Sequence, residues 1–207
     1  MIEYLVTQNP DNRILGRVAK SLADGQLICF PSDTSWLMAC DPFNAKAVER
    51  MYRIKNEGQD HPFSLLCSGI KQSTQVAMVD DYAFNYMRTR VPGHFTFILP
   101  ALKRTAKALK ASRREHQVGI RIPPCPIFIH LSKVFEGPLL STNITTDLLG
   151  LEEEAFIYPI LIEEELGREF ATILDPGEYE FCGPSTIVDL SAPGESMVLR
   201  QGAGKVN

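Results

Sequence analysis

Nothing in this chain approaches the ~20 consecutive apolar residues of a membrane span, and Met1-Ile2-Glu3-Tyr4 begins no basic-then-apolar leader. The expectation is a cytoplasmic protein without a membrane partner. Cysteine is sparse: Cys29, Cys40, Cys67, Cys125 and Cys182 are scattered, and no two stand at zinc-ligand or redox spacing. They read as buried free thiols of a reducing compartment, not as a disulfide framework. His61, His94, His116 and His130 show no metal-ligand spacing with cysteine or carboxylates, so no metal site and no tightly bound cofactor are expected. A P-loop, a Gly-x-Gly-x-x-Gly turn and a nucleophile elbow are all missing. That removes the common phosphate-cradle, dinucleotide and covalent-hydrolase readings. With 21 basic against 25 acidic residues the net charge is −4, which argues against a surface given over wholly to nucleic acid.

What is present is a core. Hydrophobic residues make up 44% of the 207, enough for a domain of this length to fold without disulfides or metal. Ile14, Leu15, Val18, Ala19 and Leu22 recur at helical spacing behind Asp11, and Asp24-Gly25 stops the helix. Apolar runs at 26–30 and 35–40 flank the turn Ser32-Asp33-Thr34 and predict a strand pair. Asn44 is placed to cap a helix that ends near Lys55. Short β-rich runs follow at 63–67, 95–99, 118–122, 139–142, 170–174, 185–190 and 197–200, interleaved with helical segments at 80–91, 103–112, 127–135 and 159–166. This alternation predicts one α/β domain over 1–207, an open twisted mixed sheet with flanking helices. Residues 145–158 read as an acidic loop that projects from the domain.

Two stretches carry chemistry. Ser32, Asp33 and Thr34 stand where a strand gives way to a turn, the place where open α/β sheets expose polar groups to ligands. Lys103, Arg104, Lys107, Lys110, Arg113 and Arg114 form a run without an acid, while Glu152 to Glu154, Glu163 to Glu165 and Glu169 gather the opposite sign. Such a basic run either holds phosphates or is a solvated helix face.

Several blocks then combine in order: Pro31-Ser32-Asp33-Thr34 with 39–44, Arg53-Ile54-Lys55, Pro92-Gly93-His94-Phe95-Thr96, Val118-Gly119-Ile120-Arg121-Ile122-Pro123, 137–142, Pro184-Ser185-Thr186 and 199–204. Together they resemble the YrdC/YciO family from about residue 25 onward. The resemblance implies a YrdC-like fold with a concave basic face that binds nucleotides and RNA. It also implies a link to L-threonylcarbamoyladenylate synthases, which serve the threonylcarbamoyladenosine modification of tRNA. In that reaction threonine and bicarbonate give a carbamate, whose carboxylate attacks the α-phosphorus of ATP and releases pyrophosphate. Cations must then stabilise the transferring phosphoryl group. By resemblance Lys55 and Arg121 are the catalytic cations. Lys55, Ser141, Asn143, Ser185, Thr186 and Arg200 are the nucleotide-binding set, and Thr34, Trp36 and Arg121 line the small-substrate pocket. Magnesium would arrive with ATP.

The chain also departs from the synthase pattern. Glu57-Gly58 stands where synthases carry the arginine of Lys-x-Arg and a proline. At about 4 Å and an effective dielectric near 20, that exchange turns ~4 kcal/mol of attraction for a phosphate into repulsion of similar size. Asn143-Ile144-Thr145 replaces Ser-x-Asn, and Trp36-Leu37 replaces tyrosine and glycine, which should narrow the pocket. These changes resemble the YciO branch. Two readings follow. One is a nucleotide-binding module for double-stranded RNA, tRNA or rRNA that uses Lys103, Arg104, Lys107, Lys110, Arg113 and Arg114. The other is an active synthase taking ATP, L-threonine and bicarbonate.

Overall fold

The computed structural model describes residues 1–56, 63–109 and 116–206. In chain order the elements are β1 (Ile2–Tyr4), α1 (Asn12–Ala23), β2 (Leu27–Pro31), β3 (Trp36–Cys40), α2 (Ala45–Lys55), β4 (Ser64–Leu66), α3 (Ile70–Ser73) and α4 (Asp81–Arg88). They continue with β5 (Phe95–Pro100), α5 (Lys103–Ala108), β6 (Gln117–Arg121), α6 (Pro126–Phe135), β7 (Leu139–Asn143), α7 (Pro159–Leu166), β8 (Phe170–Asp175), β9 (Thr186–Asp189) and β10 (Met197–Arg200). Helix starts follow local chemistry. Asp11 accepts from the Arg13 amide, Asn44 from Ala47 and Asp80 from Ala83, each satisfying an amide that has no partner within its helix. Asn44 has a second constraint, because its side chain rests against Gly25, whose φ of +78° and lack of a Cβ permit the approach.

All ten strands form one mixed sheet in the order β1-β8-β2-β3-β7-β4-β6-β5-β9-β10. Side chains alternate across it with period two, and the two faces are covered differently. One face carries Trp36, Met38 and Cys40 of β3, Leu65 of β4, Val118 and Ile120 of β6 and Phe95 and Phe97 of β5, packed with Val48 and Met51 of α2, Met87 of α4 and Ile162 of α7. The other is apolar where Ile28, Phe30, Leu37 and Ala39 meet Leu15, Val18 and Leu22 of α1 and Phe128 and Leu131 of α6. On that second face, toward β4, β6, β5 and β9, the alternate positions include Ser64, Ser141, Gly119, Arg121, Thr96 and Ser185, with Leu66, Ile98 and Ile187 among them. The sequence thus leaves a polar floor where the second helical layer stops.

The sheet is strongly curled. Through the register β2–β3–β7–β4–β6, Arg121 lies four strands from β2 and level with the residue before Leu27. On a flat sheet that is roughly 19 Å across and some 16 Å or more along the strands from the β2–β3 turn. Yet the Arg121 guanidinium sits 2.7 Å from Asp33 of that turn. Twist accumulated strand by strand folds these two corners toward each other.

Three elements differ from the sequence reading, the first being the four-residue helix α3, for which the sequence reading has no helical segment. β1 was not foreseen; it is three residues long and pairs in parallel with β8, some 170 residues later, so no local pattern marks it. The acidic loop does not project. Ile144 and Leu149 are buried, the Trp36 indole donates to the Ile157 carbonyl at 3.1 Å, and Phe156 stacks on Tyr179. Of that stretch, Asp147, Glu152, Glu153 and Glu154 keep their charges in solvent. Among the described residues, no helix is long and apolar enough to cross a membrane.

Replacing Asn44 by alanine removes the cap of α2. The expected loss is about 1 kcal/mol, read as a lower denaturation midpoint in urea at unchanged slope.

Candidate functional site

The site is built around one carboxylate. The β2–β3 turn is held by Ser32, whose hydroxyl donates to the Ser35 carbonyl at 2.9 Å and accepts from the Thr34 amide at 3.1 Å. This fixes Asp33 between two partners. Its Oδ1 accepts from Arg121 Nη2 at 2.7 Å, and its Oδ2 lies 2.8 Å from His94 Nδ1. The Arg121 and Asp33 side chains are only 6% and 4% exposed, so each charge depends on the other. Arg121 Nη1 also donates to Thr34 Oγ1 at 3.1 Å. Its Nε is buried and finds no partner among the described residues.

From Arg121 the polar floor extends in two directions. Toward β7, the Ser141 hydroxyl donates to the Ser64 carbonyl at 3.1 Å. Gly119 lies between Ser64 and Thr96, and a Cβ there would sit 2.9 Å from Ser64 Oγ, so glycine keeps the floor open. Toward β9, Thr96 and Ser185 share a hydrogen bond of 2.8 Å, and Arg200 donates to the Ser185 carbonyl through Nε and Nη2 at 3.1 and 2.8 Å. The β9–β10 register slips between Val198 and Arg200. Such a bulge re-aims a side chain, and here the arginine reaches back to the start of β9.

Lys55 stands at the C-terminal end of α2, where its ammonium reaches Thr145 Oγ1 at 3.4 Å. The Thr145 hydroxyl, and then the charge of Lys55, hold the exposed Asp147 carboxyl below its ordinary value. Thr145 therefore ties Lys55 to the segment that follows β7. Asn143, the last residue of β7, is exposed at the same edge.

Other residues take different places. Trp36 does not narrow a pocket: its side chain is fully buried in the core, edge-on to Tyr179. Thr186 points to the opposite face from Ser185. Its hydroxyl donates to the Gly204 carbonyl at 2.6 Å and accepts from the Gly202 amide at 2.8 Å, pinning the chain after β10. On α5, Lys103, Arg104 and Lys107 are exposed, with the Arg104 guanidinium 4.1 Å over the Phe43 ring. Lys110, Arg113 and Arg114 lie outside the described residues, as do Glu57, Gly58 and His61.

The reading of the cysteines holds for four of five. Burial pushes the Cys67 and Cys125 thiols up to about 12 and raises Cys29 and Cys40 as well. Cys182 is exposed, and it corrects the view that the histidines stand apart from cysteine and carboxylate. Its Sγ lies 3.2 Å from His94 Nδ1 and 2.9 Å from the Asp33 carbonyl. Desolvation, and then the charge of Asp33, raise this thiol too. Asp33, His94 and Cys182 offer ligand atoms that all lie within 4.8 Å of one another. They share the wall of a cavity of about 380 Å³ with Glu178, Tyr179 and Phe181. No spacing in the sequence signals this group, because its members are drawn from three separate segments.

A single curled mixed sheet with flanking helices, a polar floor and a buried arginine defines an open α/β domain. The chain belongs to the Sua5/YciO/YrdC family, described as telomere recombination, whose match covers residues 20–202. It is 29% identical to the YciO protein of Escherichia coli over 203 residues, covering 98% of this chain and 96% of that protein. It is also 29% identical to threonylcarbamoyl-AMP synthase of Vibrio vulnificus over 192 residues, with 91% and 98% covered. Among solved structures, E. coli YciO superposes with a TM-score of 0.82 at 27% identity, covering 99% of this chain and 98% of that one. P. abyssi Sua5 complexed with L-threonine also gives 0.82, at 20% identity, with 98% of this chain and 57% of that one covered.

Removing Arg121 tests the central ion pair. Arg121→Met leaves the Asp33 carboxylate buried beside His94 alone, with an expected cost of about 3–5 kcal/mol of folding stability, measured by urea denaturation.

Proposed function

We propose that the polar floor binds a nucleotide together with a small carboxylate, and that the chain forms an acyl-adenylate from ATP, L-threonine and bicarbonate. The observation that carries this reading is Arg121. A buried guanidinium already held by Asp33 and Thr34 keeps one N–H without an acceptor, and a buried unmet donor costs about 1–3 kcal/mol unless an acceptor arrives. A carboxylate or carbamate supplies one, with charge. The serine and threonine hydroxyls of the floor then offer donors along the line from Arg121 to Arg200, as a nucleotide with its phosphates requires. Support also comes from the threonylcarbamoyl-AMP synthases among the relatives and from the L-threonine complex of P. abyssi Sua5.

In this reading Arg121 orients the carbamate carboxylate and Lys55 faces the phosphates. Magnesium comes with the nucleotide. Pyrophosphate release that requires ATP, threonine and bicarbonate together is the expected result. Ser185→Ala should weaken ATP binding about fivefold, the worth of one hydrogen bond of about 1 kcal/mol, measured by calorimetry. No threonine-dependent product at high protein concentration would reject the catalytic step. ATP binding unaltered by Ser185→Ala would reject the floor as the nucleotide site.

A second reading rests on α5, where Lys103, Arg104 and Lys107 are exposed side by side. If this helix holds an RNA backbone, affinity for double-stranded RNA falls steeply as salt rises, and neutralising two phosphate contacts lowers the salt slope by about two. A slope unchanged in Lys103→Ala/Lys107→Ala would refute it.

A further inference from the structure

Three segments distant in sequence deliver one ligand atom each to a common point. Asp33 comes from the β2–β3 turn, His94 from the residue before β5 and Cys182 from the connection between β8 and β9. Both short contacts of the imidazole end on the same nitrogen, with Nδ1 lying 2.8 Å from Asp33 Oδ2 and 3.2 Å from Cys182 Sγ. A nucleophile–base–acid relay needs its two partners on opposite ring nitrogens. Here sulfur, nitrogen and oxygen converge instead, which is the arrangement of ligands around an ion.

We propose that Asp33 Oδ2, His94 Nδ1 and Cys182 Sγ form a zinc site with three protein ligands, whose fourth position opens into the adjoining cavity. The donor set is the thiolate, imidazole and carboxylate mixture that suits Zn²⁺, and three protein ligands with one open position is the pattern of reactive zinc sites. From ordinary zinc–ligand lengths, tetrahedral coordination separates neighbouring ligand atoms by roughly 3.3–3.6 Å. The oxygen–nitrogen contact must therefore widen by about 0.5 Å and the sulfur–nitrogen contact by a few tenths of an ångström, while the sulfur and the carboxylate oxygen lie within 4.8 Å of each other.

The surroundings already supply what a ligating carboxylate needs. Arg121 occupies Oδ1 and leaves Oδ2 for the metal, the outer-shell role that orients such ligands. The Cys182 amide donates to the Asp33 carbonyl at 2.9 Å, so the thiol is tied to the same residue it would share the metal with. Glu178 and Glu180 on the cavity wall add negative charge where a cation would enter. On coordination the Cys182 S–H proton passes to solvent and the imidazole carries its proton on Nε2. An open fourth position would hold a water or a small anion.

The inference shares Asp33 with the nucleotide reading, in which neither His94 nor Cys182 takes part. The test uses the full chain, stripped with a chelator and titrated with Co²⁺ and then Zn²⁺. Expected are one equivalent of metal, a thiolate-to-cobalt charge-transfer band, and slowing of Cys182 alkylation by Zn²⁺ at least tenfold, followed by mass spectrometry. Cys182→Ser should abolish the band, and His94→Gln should weaken Zn²⁺ at least tenfold. A wild-type chain that shows neither band nor protection overturns the proposal without any variant. So does a band that persists in Cys182→Ser, or zinc affinity unchanged in both variants.

Discussion

The Asp33 carboxylate holds two distant parts of the sheet together. It sits in the turn after β2 and meets Arg121, at the far end of a strand four places away, and His94 at the start of β5. Twist brings these corners near, but near is not bonded. At 4% and 6% exposure the two charged partners are out of water, so the curl of the sheet and the ion pair stabilise each other. Thr34, the polar floor and the position of Cys182 follow from that closure. Open the curl, and Arg121 parts from the β2–β3 turn.

The division of the second face explains why a site exists there at all. Where α1 and α6 lie, the strands present Ile28, Phe30, Leu37 and Ala39; where those helices stop, they present serine, threonine, glycine and arginine, with Ile98 and Ile187 between them. The same period-two alternation serves both halves, and only residue type changes. Gly119 contributes by what it lacks, since any side chain would crowd Ser64 and Thr96.

Much of this was legible in the chain. Apolar runs bounded by turns placed nine of the ten strands, because strand patterns and caps are local. β1 escaped because its partner is remote. Ser32, Asp33 and Thr34 could be recognised as a polar turn, and ordered blocks pointed to Lys55, Arg121 and Arg200. The partners of Asp33 could not be read, since 61 residues separate it from His94 and 149 from Cys182. Trp36 was misjudged for a related reason: adjacent strand residues face opposite ways, and only the fold shows that its ring enters the core. Thr186 repeats the lesson beside Ser185. The acidic charges of 145–158 concealed the apolar anchors Ile144 and Leu149 that hold that segment down.

The bulge that turns Arg200 toward Ser185 lies in the last strand to be made, while Thr34 lies in the first quarter of the chain. A ribosome releasing this chain would expose the early turn long before its late arginine exists. Completion of the floor is thereby coupled to completion of the sheet, and a half-folded chain presents the early hydroxyls without the late arginine beside Ser185.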